Sequence, residues 1–126
     1  MTKILFICHG NICRSPMAEF VMKKLIEEKH LTERFQISSA AVSREELGNP
    51  IYPPARRKLA EHGISGAIHT ARQLTRQDYA EYDLLIGMDR SNLRGMLRIC
   101  GGDPDGKMSL LMEHTGYPGN VADPWY

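Results

Sequence analysis

Cys8 and Arg14 are the residues of this chain whose types and spacing most clearly suggest chemistry. An apolar run at 4–7 precedes Cys8, and Pro16 opens a stretch with helical periodicity, so the sequence predicts a strand, a tight turn and a helix. A helix N-terminus presents unpaired backbone N–H groups and a positive dipole end, which together bind anions such as phosphate. A cysteine at this point can attack phosphorus, and an arginine can hold the phosphate oxygens with two parallel hydrogen bonds.

The loop between Cys8 and Arg14 is expected to wrap its N–H groups around the phosphate oxygens. Helix N-termini and nearby cations stabilise a thiolate, so we expect Cys8 to be largely ionised at neutral pH. Ser15 can donate its hydroxyl hydrogen to the sulfur, which would also make the sulfur a better leaving group. Gly10 permits either a positive φ or a close approach of the backbone to the phosphate.

The segment 8–19, CHGNICRSPMAE, resembles the phosphate loop of the low-molecular-weight protein tyrosine phosphatases. Further segments that match this family occur in order along nearly the whole chain, at 38–40, 61–64, 69–72, 88–92 and 123–126. The C-x5-R spacing alone is short enough to arise by chance, and a buried core thiol beside a surface arginine is the plain alternative. The resemblance implies a protein tyrosine phosphatase that hydrolyses phosphotyrosine through a phosphocysteine intermediate.

The resemblance also implies roles for individual residues. Cys8 would be the nucleophile, Arg14 the phosphate-binding cation, and Asp123 the acid that protonates the leaving phenolate and then the base that activates water. Asp123-Pro124 alone is an ordinary turn dipeptide, although proline holds the residue before it extended. Contacts with the substrate are expected from His9, Gly10, Asn11, Ile12, Cys13, Ser15, Trp125 and Tyr126, the last two offering flat apolar surfaces to an aryl ring.

Two residues outside the loop are implied as its supports. Ser39 and His62 would hydrogen-bond Asn11 and hold the phosphate loop rigid. The residues alone equally allow His62 to be a core histidine, because it shares a helical face with Ala55 and Leu59.

Cys13 is expected to lie close to Cys8 across the curled loop. A second thiol there can trap an oxidised Cys8 as a disulfide, a redox switch that the resemblance also implies. The plainer interpretation of Cys13 is a small apolar side chain that packs the loop, and Cys100 is most simply a core residue.

Ile12 bears on the substrate class. Relatives that hydrolyse phosphoarginine carry threonine at this loop position, whereas the tyrosine-directed members carry an apolar residue, so Ile12 favours phosphotyrosine. The alternatives are an arginine phosphatase, an arsenate reductase, which would need two further relay cysteines near 81–89, and an inactive phosphate-binding module. Many family members also place an aromatic residue after the second strand, where this chain has Arg44, Glu45 and Glu46.

Composition agrees with a small soluble enzyme. The 126 residues predict a single phosphatase domain over 1–126, while the resemblance implies one further helix beyond that range. With 16 basic and 15 acidic residues and no basic run, nucleic-acid binding is not expected. No apolar segment suggests secretion or a membrane span, and three cysteines fit a reducing cytoplasm.

The expected partner is therefore a tyrosine-phosphorylated protein, with phosphate or vanadate as inhibitors. The five histidines show no metal-ligand spacing, so neither a metal nor a cofactor is predicted. The oligomeric state stays open.

Strand and helix patterns alternate along the chain, as they do in α/β proteins. Helices are predicted at 16–29 and 53–62, a short capped helix from Thr75, and a helical face with Leu93 and Met96 that ends before Gly101. Strands are predicted at 4–7, 35–38, 83–88 and 107–110. This order predicts a small three-layer αβα domain with a central parallel sheet of about four strands and the phosphate loop at the end of strand 1.

Overall fold

The computed structural model describes residues 1–65 and 68–123. Four parallel strands form one sheet in the order β2-β1-β3-β4: β1 (Thr2–Cys8), β2 (Phe35–Ala41), β3 (Leu84–Gly87) and β4 (Met108–Leu110). The helices are α1 (Arg14–Glu28), α2 (Pro53–Glu61), α3 (Arg76–Glu81) and α4 (Arg90–Cys100), with a 3-10 turn at Leu111–His114. The predicted α/β fold with a four-stranded parallel sheet is confirmed.

The central strand β1 is buried on both faces, as expected for a parallel strand with a continuous apolar run. Leu5 and Ile7 pack on one face with residues from α3 and α4. Ile4 and Phe6 pack on the opposite face with Ile26 of α1. The sheet therefore lies between two helical layers, and β1 delivers Cys8 to the carboxyl edge of the sheet, where α/β proteins bind ligands.

Helix boundaries follow local chemistry. The predicted capping box at the start of α3 is present, because Thr75 accepts from the backbone N–H of Asp78 and the Asp78 carboxylate accepts from the N–H of Thr75. Gly101 ends α4 in the left-handed conformation, with φ of 76°. Helix α1 starts at Arg14, two residues earlier than predicted, and Pro16 still falls in the first turn, where an N–H has no intrahelical partner.

The chain beyond β2 remains attached to the end of β1. The N–H groups of Val42 and Ser43 donate to the carbonyls of Cys8 and His9, each at 3.0 Å. Helix α4 approaches this segment so closely that a Cβ on Gly95 would overlap Cγ1 of Val42. None of the described helices is long and apolar enough to cross a membrane.

Candidate active site

A pocket opens at the carboxyl end of β1. It lies at the turn between β1 and α1, which is the position predicted for phosphate binding. Its walls are formed by the phosphate loop, the segment after β2 and the last described residues: Cys8, His9, Gly10, Ile12, Cys13, Arg14, Glu45, Glu46 and Asp123.

Asn11 sets the conformation of the loop. It is fully buried and has a φ of 59°, in the left-handed region that asparagine tolerates better than most residues. The His69 ring donates from Nε2 to the Asn11 carbonyl at 2.6 Å, and the backbone N–H of Arg72 donates to Oδ1 at 3.1 Å. These two bonds come from one distant segment and hold Asn11 in its turn.

The orientation of the Asn11 amide determines the hydrogen bonds at the sulfur of Cys8. Because Oδ1 accepts from Arg72, the NH₂ group faces Ser15 and donates to its hydroxyl oxygen at 2.8 Å. The Ser15 hydroxyl therefore has its own hydrogen left for Cys8 Sγ, 3.0 Å away. The Asn11 backbone N–H also donates to this sulfur at 3.3 Å. Two donors thus converge on the Cys8 sulfur.

Arg14 lies buried beside the pocket and contacts three residues from two remote segments. Its Nη1 donates to Asp89 Oδ2 at 2.7 Å and to the Val121 carbonyl at 2.9 Å, and its Nη2 donates to Asp123 Oδ2 at 3.3 Å. Asp89, Val121 and Asp123 thus fix the direction of the guanidinium.

Asp89 is a residue of this site for which the sequence suggested no role. Its partial burial opposes ionisation, but hydrogen bonds from Arg14 and the backbone N–H of Asn92 prevail and lower the pKa of Asp89. The same carboxylate caps α4 in a capping box with Asn92. The helix-start pattern from Asp89 to Asn92 was therefore a usable signal for its position, although not for its contact with Arg14.

Comparison with known proteins shows which family has a similar sequence. The sequence model of the family "Low molecular weight phosphotyrosine protein phosphatase" matches residues 3–126. The chain belongs to this family.

The human low molecular weight phosphotyrosine protein phosphatase is 44% identical over 132 residues, which cover 95% of this chain and 82% of that protein. The crystal structure of YfkJ from Bacillus subtilis superposes with a TM-score of 0.94 at 33% identity, over all of this chain and 80% of that one. The structure of DARP, a drosophila arginine phosphatase, has a TM-score of 0.81 at 30% identity, over 89% of this chain and 72% of that one.

Cys13 of this family member lies at the start of α1 and lines the same pocket as Cys8. Burial, together with the nearby Cys8 and Asp123, raises the pKa of Cys13 to about 11. The thiol is therefore protonated at neutral pH, and it packs against the apolar cluster around Leu59 of α2. The packing role considered for Cys13 is present in the resting structure.

Both supports predicted for Asn11 are wrong in this structure. Ser39 lies on the α1 side of β2, and its hydroxyl donates to the buried carboxylate of Glu19. His62 is exposed at the end of α2, where its carbonyl accepts from Lys24. The histidine that reaches Asn11 is His69, because the chain turns back toward the loop only after α2 has ended.

Gly10 does not have a positive φ; that conformation falls on Asn11 instead. A Cβ at Gly10 would lie 3.2 Å from Cγ of Glu46, so the missing side chain allows the rim of the pocket to close on the loop. The predicted aryl contacts Trp125 and Tyr126 lie outside the described residues. Within the described part of the chain, no group of three or more His, Cys, Asp or Glu residues is placed to hold a metal ion.

Proposed function

We propose that this chain hydrolyses phosphotyrosine in proteins through a covalent phosphocysteine on Cys8. The observation that carries the proposal is the pair of donors, from Asn11 and Ser15, that meet at the Cys8 sulfur beside the fixed guanidinium of Arg14. Membership of the phosphatase family supports the same reaction.

In the first step, the Cys8 thiolate attacks phosphorus and the bond between phosphorus and the phenolic oxygen breaks. The leaving oxygen takes a proton from Asp123, whose carboxyl group lines the pocket. Charge on the phosphate oxygens is stabilised by the loop N–H groups, by the start of α1 and by Arg14. The hydrogen bonds of Arg14 to described residues use Nη1 twice and Nη2 once, which leaves its Nε edge for the phosphate.

In the second step, a water molecule loses a proton to Asp123 and attacks phosphorus, so that the phosphorus–sulfur bond breaks. The thiolate that leaves is stabilised by the hydroxyl of Ser15. Inorganic phosphate and vanadate would occupy the same loop and therefore inhibit. His9, Gly10, Ile12, Cys13, Trp125 and Tyr126 would complete the substrate contacts, within one domain over residues 1–126 that acts in the cytoplasm.

Replacement of the nucleophile tests this mechanism. Cys8→Ser should abolish turnover of a phosphotyrosine peptide while calorimetry still detects vanadate binding, and Arg14→Ala should lose both. Cys100→Ser is the matched control, because it removes a different thiol, the partly buried Cys100 at the end of α4. Full activity of Cys8→Ser would contradict the phosphocysteine intermediate.

A phosphoarginine substrate is the second candidate, since a drosophila arginine phosphatase has a similar structure. The apolar side chain of Ile12 lines the pocket and offers no polar anchor for a water beside a guanidinium, which favours phosphotyrosine. A panel of phosphotyrosine, phosphoarginine and phosphoserine peptides decides between them. Phosphotyrosine should be preferred, and Ile12→Thr should shift the ratio toward phosphoarginine; a wild-type preference for phosphoarginine would overturn the assignment.

A further inference from the structure

We propose that Glu45 and Glu46 form an anionic rim around the pocket that selects phosphotyrosine substrates with basic side chains next to the phosphorylated residue. This inference rests on the proposed function, because it specifies which phosphotyrosine proteins the site takes. Both carboxylate side chains line the pocket that contains Cys8 and Arg14.

Glu46 is held against the phosphate loop. Its Cγ lies 3.2 Å from the position that a Cβ on Gly10 would occupy, and the side chain is partly buried. Its Oε2 accepts a hydrogen bond from Nδ2 of Asn49 at 2.6 Å. Since the Asn49 amide is neutral, this bond orients the carboxylate and leaves its negative charge in place.

Glu45 stands on the outer side of the rim. Its Oε2 lies 3.0 Å from Nε2 of His9, and the ring nitrogen must be the donor because a carboxylate only accepts. The two side chains remain 69% and 44% exposed, so the pair faces the solvent from which a substrate arrives. The bond joins the segment after β2 to the phosphate loop.

The segment that carries the rim is anchored at both ends. Near its start, Val42 and Ser43 donate backbone hydrogen bonds to Cys8 and His9. Near its end, the N–H of Gly48 donates to the Ala71 carbonyl at 3.0 Å. The rim therefore has a defined position relative to the reacting sulfur before substrate binds, and substrate binding need not order it.

Arg14 is buried, whereas Glu45 is exposed and Glu46 is partly buried. Among the described residues that line the pocket, the permanent cation is Arg14, which is buried and already directed at Asp89 and Asp123. The phosphate of a bound phosphotyrosine would reach this cation, while the neighbouring residues of the peptide remain at the level of Glu45 and Glu46. Lysine or arginine there would be attracted and aspartate or glutamate repelled.

Three phosphotyrosine peptides that differ only at the flanking positions, with Lys, Gln or Glu, test this inference. Wild-type kcat/KM should decrease in that order, and the Lys peptide should exceed the Glu peptide by about threefold to tenfold at low ionic strength, as expected for exposed charges. The ratio should shrink at about 1 M salt, where the screening length is only about 3 Å.

The rim carboxylates are then removed. The double variant Glu45→Gln/Glu46→Gln should bring the ratio of the Lys peptide to the Glu peptide close to one. Glu33→Gln is the matched control: it removes one exposed carboxylate before β2, at the opposite edge of the sheet, and should keep the wild-type ratio.

The outcomes separate this inference from the proposed function. Equal kcat/KM for the three peptides in the wild type, or an unchanged ratio in the double variant, would overturn the rim while phosphotyrosine hydrolysis stands. If none of the peptides is hydrolysed, the proposed function fails and the rim inference fails with it.

Discussion

Three short side chains at the turn between β1 and α1 form a chain of hydrogen bonds. Asn11 is oriented from outside the loop, Ser15 accepts from Asn11, and Cys8 receives the remaining Ser15 hydrogen. Each bond determines the direction of the next, so the hydrogen bonds at the sulfur are fixed by the surrounding structure. Asp123, near the end of the chain, accepts a hydrogen bond from Arg14.

Asp123→Asn should slow hydrolysis of phosphotyrosine by roughly 100-fold or more, because the amide cannot protonate the leaving oxygen. An ester of an acidic phenol needs little proton donation to leave, so its first step should be much less affected. Single-turnover rates on both esters measure the difference. An equal decrease for the two substrates would show that Asp123 serves to hold Arg14 and not as the acid.

Cys13 is proposed as the redox partner of Cys8. Mild peroxide should form a Cys8–Cys13 disulfide that thiols reverse, and Cys13→Ser should stay active when reduced but be inactivated irreversibly. Cys100→Ser should recover like the wild type, because Cys100 lies on α4 outside the pocket lining. Activity recovery and mass spectrometry of the peptides measure this; equal recovery of all three forms would argue against the switch.

At the scale of elements, the phosphate loop is supported by the chain that leads into α3. Arg72 donates its backbone N–H to Asn11, and its guanidinium forms a bidentate pair with Asp78 at 2.9 and 3.1 Å. Asp78 is also the capping-box residue of α3. The helix start therefore fixes Arg72, and Arg72 in turn fixes the loop.

His69→Ala should lower kcat by about fivefold to tenfold, the equivalent of losing about one hydrogen bond of 1 kcal/mol, because the Asn11 carbonyl loses its donor. His69→Gln should restore part of the rate, since an amide N–H can donate in the same place. His62→Ala is the matched control and should behave like the wild type, because that ring is exposed at the end of α2. Equal effects of the two alanine variants would contradict the positioning role.

At the scale of the whole molecule, Arg14 joins the start of α1 to the start of α4 and to the last described residues. Its ion pair with Asp89 is largely shielded from solvent, so removing that carboxylate takes away one of the two acidic partners of a buried cation. The residue that is expected to bind phosphate thus also ties distant parts of the fold together.

Asp89→Asn should therefore reduce the free energy of unfolding by about 1 to 2 kcal/mol near pH 7. Because the folded-state pKa of Asp89 is lowered, its contribution is complete above the ordinary aspartate pKa and is lost as the pH falls through the folded value. Urea unfolding from about pH 7 down to about pH 3 should show the gap to the wild type closing in acid. Asp105→Asn removes an exposed carboxylate and should leave the free energy of unfolding near the wild-type value. A difference between Asp89→Asn and the wild type that does not depend on pH would contradict the assignment.

Most of the local structure could be predicted from the order of residues. The strand, turn and helix around Cys8, the capping box at Thr75 and the glycine that ends α4 all depend on residues a few positions apart. Such patterns act through hydrogen bonds and backbone preferences within one element, so they can be recognised in the sequence. The phosphate loop was predictable for the same reason.

The distant residues that contact the loop could not be predicted in this way, because their contacts depend on how the chain folds back. His69 meets Asn11 across 58 positions of chain, and Asp89 meets Arg14 across 75. His62 directly follows α2 and His69 lies further along the same connection, and only the direction of the returning chain brings His69 to the loop. The contact between Glu46 and Gly10 likewise depends on how the segment after β2 packs on the phosphate loop. That packing exists only once the strands have paired.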